Sequence, residues 1–159
     1  MQPRLANVTK STWLTAKQRE AWRSLNVMFM QLNAELERRL LQHSNLSYSD
    51  YLVLVVLTEQ PEDRMRLFEL GDALGWEKSR LSHHLTRMEA RGLVKKVKCD
   101  SDRRGLFVEV TKKGLAEITE VAPHHVQDVR ELFISHITAD EIETISKFSD
   151  RVLQNFDAQ

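Results

Sequence analysis

The chain has 159 residues, 42% of them hydrophobic and 29% charged, and its formal net charge at pH 7 is zero. That is the composition of a folded chain of one domain with room for helical extensions, and it excludes a disordered polymer. No apolar run approaches the ~18–20 residues of a bilayer-crossing helix. The N-terminus also lacks a signal-peptide core, and a lone cysteine, Cys99, builds no intrachain disulfide framework, so a cytoplasmic protein is expected, with no membrane partner.

The first helix is predicted to open at Thr15, where Gln18 completes a T-x-x-Q capping box. Trp22, Leu25, Phe29, Leu32, Leu36 and Leu40 then recur at helical spacing and mark one face. Val27, Met28 and Met30 lie off that stripe. A helix apolar on more than one side needs more than one partner, which points to a subunit interface or a ligand cavity. Ser47 with Asp50 starts a second helix, apolar enough to form the centre of a small domain, and Pro61 ends it. A short helix follows in "MRLFELGDALG", with Leu67, Leu70 and Leu74 facing inward and Gly75 turning the chain. The helix in "EKSRLSHHLTRMEARG" closes on Gly92 as a left-handed cap. "LVKKVKC" and "GLFVEV" flank "DSDRR" and predict a β-hairpin with a polar, partly basic tip. From Thr111 a helical segment runs to about His136, with a kink expected at Pro123. Thr138 and Glu141 form another capping box, and Ile142, Ile145, Phe148, Val152 and Phe156 keep helical spacing behind it.

The neutral average hides an asymmetry. Residues 76–104 hold nine Lys or Arg against four acids, whereas residues 114–159 hold three against nine. A basic middle beside an acidic tail is the distribution expected of a chain with one face toward phosphate. Helix, short helix, glycine turn, helix and hairpin, in that order, describe a winged helix-turn-helix. With Leu81, Leu85 and Met88 on the buried face at 100° per residue, Ser79, His83 and Thr86 point directly outward. Arg80 and Arg87 fall to one side of that face and Ser82 to the other, while His84 leans toward the core. Hydroxyls, an imidazole and two guanidiniums on one face suit a helix lying in a major groove, because they bond phosphates and base edges. Lys78, Lys95, Lys96 and Lys98 are candidate phosphate contacts. A protein-interaction module with a basic face is the rival reading. An enzyme is not expected: no nucleophile elbow, P-loop, zinc-protease or dinucleotide motif occurs, and Cys99 has no visible base.

"SRLSHHLTRMEARGLV" and "DRRGLFVEVTKKG" resemble the recognition helix and wing of the MarR (multiple antibiotic resistance regulator) transcription factors, and the resemblance extends from about Trp13 to Phe156. It implies a mainly α fold with a small β-hairpin wing, in three parts. These are residues 1–46, an arm and dimerisation helix; residues 47–111, the winged helix-turn-helix; and residues 112–159, further dimerisation helices. It also implies that Asp102 braces Arg104 at a minor groove with Arg103 beside them at the wing tip, and that the chain is a homodimer on a pseudo-palindromic duplex. The expected role is that of a repressor released by a small, often aromatic and anionic, effector. Trp22, Asn26, Met30 and Tyr51 are the candidate ligand residues, since they mix aromatic surface with a few polar groups. No cofactor and no metal are expected. Redox sensing through Cys99, or a metal joining His43 to His124 or His125, are the alternative triggers.

Overall fold

A computed structural model describes residues 13–98 and 105–157. Two compact units make up the chain, Met1–Glu35 and Leu36–Gln159. Helix α1 (Ala16–His43) opens with a reciprocal cap: the Thr15 N–H donates to Gln18 Oε1 at 2.9 Å, and the Gln18 N–H donates to Thr15 Oγ1 at 3.2 Å. In the first unit Trp22, Phe29 and Met30 are exposed and Leu25 is half-buried.

The second unit holds the core. Its centre is α2 (Tyr48–Thr58), capped by Ser47 and Asp50, with Val53, Leu54 and Leu57 fully buried. Around it lie α3 (Leu67–Leu74), α4 (Lys78–Ala90) and α5 (Lys112–Leu132). Leu70, Leu81, Leu85, Met88, Ile118 and Val121 join the same cluster. Leu36 and Leu40 of α1 are also buried. The expected hairpin is present as β2 (Val94–Lys98) and β3 (Leu106–Val110). A further strand, β1 (Arg64–Arg66), pairs antiparallel with β3 and gives the sheet order β1-β3-β2. Three residues are too few to show a strand period, which is why β1 has no signal of its own in the sequence.

Both interior helix ends close on glycine for the same reason. Gly75 and Gly92 have φ of 61° and 74°, a left-handed backbone that a Cβ would disfavour. At each, two backbone bonds take up the last carbonyls: Trp76 N–H to Gly71 O with Gly75 N–H to Asp72 O, and Leu93 N–H to Met88 O with Gly92 N–H to Glu89 O. Helix α5 continues through Pro123, and α6 (Ala139–Asp157) starts on the expected Thr138–Glu141 cap, with Thr138 N–H donating to Glu141 Oε2 at 2.8 Å. Ile142, Ile145, Phe148, Val152, Leu153 and Phe156 of α6 are exposed.

His125 of α5 is buried beneath two tyrosines, its ring centroid 4.3 Å from that of Tyr51 and 5.8 Å from that of Tyr48. Its Nδ1 is buried without a hydrogen-bond partner. Burial lowers its pKa below the ordinary histidine value, against a smaller opposing pull from Asp128. The unfolded chain therefore binds more protons than the folded one once pH falls below about 6.5, and His125 costs stability from there down to its folded-state pKa. Urea unfolding at pH 7.5 and 5.5 should show a loss on acidification that is smaller in His125→Phe. An equal loss in both proteins would assign the slope to other groups.

Candidate nucleic-acid interface

Along α4 the structure separates two faces as helical geometry requires. Leu81, Leu85 and Met88 are buried, whereas Ser79, Arg80, Ser82, His83, Thr86 and Arg87 are all exposed. The two adjacent histidines part company: His83 is exposed and His84 retains 7% of its surface. Thr86 is committed on both sides of its hydroxyl, donating to the Ser82 carbonyl at 2.9 Å and accepting from Lys96 Nζ at 3.1 Å.

The four candidate phosphate lysines sit in two different settings. Lys78 and Lys98 are exposed at the start of α4 and the end of β2. Lys96 is instead fastened to α4: its backbone N–H donates to Glu89 Oε1 at 3.0 Å, and its ammonium lies 3.6 Å from Glu89 Oε2. Lys95 pairs with Glu109 across the strands at 2.8 Å. Cys99 and the wing-tip residues Asp102, Arg103 and Arg104 lie outside the described residues.

Beneath the exposed face is a buried carboxylate that sequence reasoning assigned only to a helix cap. Asp50 is 2% exposed. Its Oδ2 accepts from the Ser47 N–H at 2.9 Å and from Arg91 Nη1 at 2.6 Å. Arg91 also donates from Nη2 to the Asn45 carbonyl at 2.6 Å. Asp50 Oδ1 lies 3.0 Å from His84 Nε2, so the imidazole faces the carboxylate directly. Burial pushes the Asp50 carboxyl up, but His84, Arg91 and Ser47 together outweigh it and hold the group well below the usual carboxylate range. One side chain thus ties the start of α2 to the middle and the end of α4.

The candidate ligand residues fall in both units. Trp22 and Met30 are exposed, and the Asn26 amide is spent on the Trp22 carbonyl at 2.7 Å. Tyr51 is buried against His125. A cavity of about 860 Å³ opens elsewhere, lined by Phe68, Trp76, Lys78, Leu81, Leu106 and Phe156 among others. His43 and His124 do meet, but as stacked rings with centroids 4.2 Å apart and planes 4° from parallel. Imidazole lone pairs lie in the ring plane, so stacked rings cannot both aim at one ion. Among the described residues no group of three His, Cys, Asp or Glu is placed to hold a metal, and no helix is long and apolar enough to cross a membrane.

A family model described as transcriptional regulator SarA/Rot matches residues 35–121, which span the last turns of α1 to the first half of α5. Among solved structures the chain superposes on AbsC, a MarR family transcriptional regulator from Streptomyces coelicolor. The TM-score is 0.87 at 39% identity, with 92% of this chain and 99% of that one covered. The chain belongs to the MarR family of transcriptional regulators. A second MarR family regulator from S. coelicolor, Sco3205, solved in complex with DNA, aligns at 32% identity and a TM-score of 0.86, with 90% of this chain and 89% of that one covered. In sequence the chain is also 21% identical to the HTH-type transcriptional regulator MhqR of Bacillus subtilis, over 87% of this chain and 93% of that protein. These MarR-type relatives are transcriptional regulators rather than enzymes.

The family membership also clarifies the motif "VTKKG". Thr111 caps α5, accepting from the Gly114 N–H at 3.0 Å, while its hydroxyl donates to the Gly92 carbonyl at 2.6 Å. Its N–H donates to the Leu93 carbonyl at 3.1 Å. In this MarR chain the Thr and the Gly are therefore joints between the exit of the recognition helix and the exit of the wing.

Proposed function

We propose that the protein is a cytoplasmic, homodimeric repressor that reads a pseudo-palindromic duplex. Residues 47–111 form the DNA-binding part, and residues 1–46 and 112–159 supply the dimerisation helices. The observation that carries this reading is the α4 face, where every outward polar side chain is exposed and every leucine is buried. Ser79, Arg80, Ser82, His83, Thr86 and Arg87 meet the major groove, and Lys78 and Lys98 meet phosphate. Lys95 and Lys96 reach phosphate by exchanging their carboxylate partners for it. At the wing, Arg104 enters a minor groove with Asp102 bracing it and Arg103 beside it. The complex of Sco3205 with DNA supports the same partner here.

The exposed apolar row of α6 supports the dimer, since Ile142, Ile145, Phe148, Val152 and Phe156 form a stripe with no core of their own. The aromatic surface that Trp22 exposes, with Met30 near it in sequence, supports release by a small aromatic acid.

Gel-shift titration against random duplex and a library of palindromes tests the function. Binding to random DNA should weaken steeply with salt, and one palindrome should bind far more tightly. Arg104→Ala should lower affinity for that palindrome by about tenfold or more while the protein still sediments as a dimer. Equal affinity for every duplex, or none for any, would defeat this reading.

A further inference from the structure

We propose that Trp76 and His84 are positioning residues that set the direction in which Arg80 and Arg87 meet the operator. The inference rests on the DNA-binding function above and adds how its two α4 arginines are aimed.

Arg80 does not extend freely from the helix. Its guanidinium carbon sits 4.3 Å from the centre of the Trp76 indole, the distance of a cation stacked on an aromatic face. Trp76 is half-buried and packed against the core, so the platform itself is held in place. The indole also meets the His84 ring edge-on, with centroids 5.3 Å apart and planes at 85°. Arg80 and His84 are four apart on α4, and Trp76, in the turn just before the helix, lies against both.

Arg87 is held from the other side of the same imidazole. Its Nη2 lies 3.1 Å from His84 Nδ1. A guanidinium only donates, so Nδ1 accepts, and the ring proton belongs on Nε2, which faces the Asp50 carboxylate. The buried carboxylate fixes the tautomer, the tautomer presents an acceptor, and the acceptor orients the arginine. Both arginines are thereby ordered before any duplex arrives, and the entropy of ordering long side chains is removed from the binding step. Because arginine reads guanine through a planar fork, its direction decides which base edge it reaches.

A double-mutant cycle separates aiming from mere packing. Trp76→Leu keeps apolar volume but removes the cation's platform, and His84→Phe keeps a ring but removes the acceptor. Affinity is measured for the best palindrome and for random duplex, with thermal melting to confirm folding. Trp76→Leu should lower palindrome affinity about three- to tenfold, and random binding by much less. In an Arg80→Ala background Trp76→Leu should add little, and in an Arg87→Ala background His84→Phe should add little. Full additivity of both pairs, or equal losses on random duplex, would overturn the inference while leaving DNA binding intact. Failure of the unmutated protein to prefer any duplex would overturn the functional reading itself, and this inference with it.

Discussion

Gly114→Ala should destabilise the protein by about 3 kcal/mol or more, at the upper end of what overpacking costs. A Cβ at this position would be driven into the backbone carbonyl of Leu93, with the carbonyl carbon at 3.0 Å and Val110 Cγ1 at 3.1 Å. Neither the Leu93 backbone nor Val110 has room to retreat, since Leu93 and Val94 are each 1% exposed and Val110 is 8% exposed. The close approach exists because Thr111 bonds the Gly92 and Leu93 carbonyls and so draws the first turn of α5 onto the exit of α4. Thermal melting checks the expectation: the midpoint should drop by roughly 6–12 °C for a chain of this size. A drop within 2 °C would mean that the joint opens at little cost.

Asp50→Asn should cost about 2–4 kcal/mol, although the two side chains have nearly the same shape. One carboxylate oxygen accepts from the Ser47 N–H and Arg91, and the other lies 3.0 Å from His84 Nε2. An amide nitrogen at the first of these positions would point a donor at two donors, and an amide oxygen there would accept with less charge. The part owed to Arg91 is discounted because that side chain is 39% exposed and screened by solvent. The pH dependence follows from the lowered Asp50 pKa. The unfolded carboxyl protonates first as pH falls, so the stabilisation is complete above the unfolded value of about 3.9 and is lost as pH drops through the folded one. Urea midpoints should therefore differ widely between the two proteins at pH 7 and converge in strong acid. A gap that stays constant with pH would show that charge is not what Asp50 contributes.

Features written in neighbouring residues were legible from the sequence. The caps at Thr15, Ser47 and Thr138 each need only a residue three positions on, and all three are formed. The glycine ends at Gly75 and Gly92 are local in the same way. The outward face of α4 followed from the helical repeat alone, once the leucines were placed inside. What escaped the sequence depends on distant partners. Asp50 is legible as a cap, yet its role beneath α4 comes from Arg91, 41 residues away, and from His84. Strand β1 is a strand only because β3 supplies its hydrogen bonds. Trp76 carried no motif, and its significance appears only when the turn brings it under Arg80.

The joint at Leu93 also bears on how the two reading elements move. The recognition helix and the root of the wing are separated by one closed turn, and that turn is pinned at both ends, by the Leu93 N–H to the Met88 carbonyl and by Thr111 to Gly92 and Leu93. Lys96 adds a crosspiece from β2 to Thr86 and Glu89 on the helix. Helix and wing root are consequently joined as one piece, so a force applied to either is carried by both.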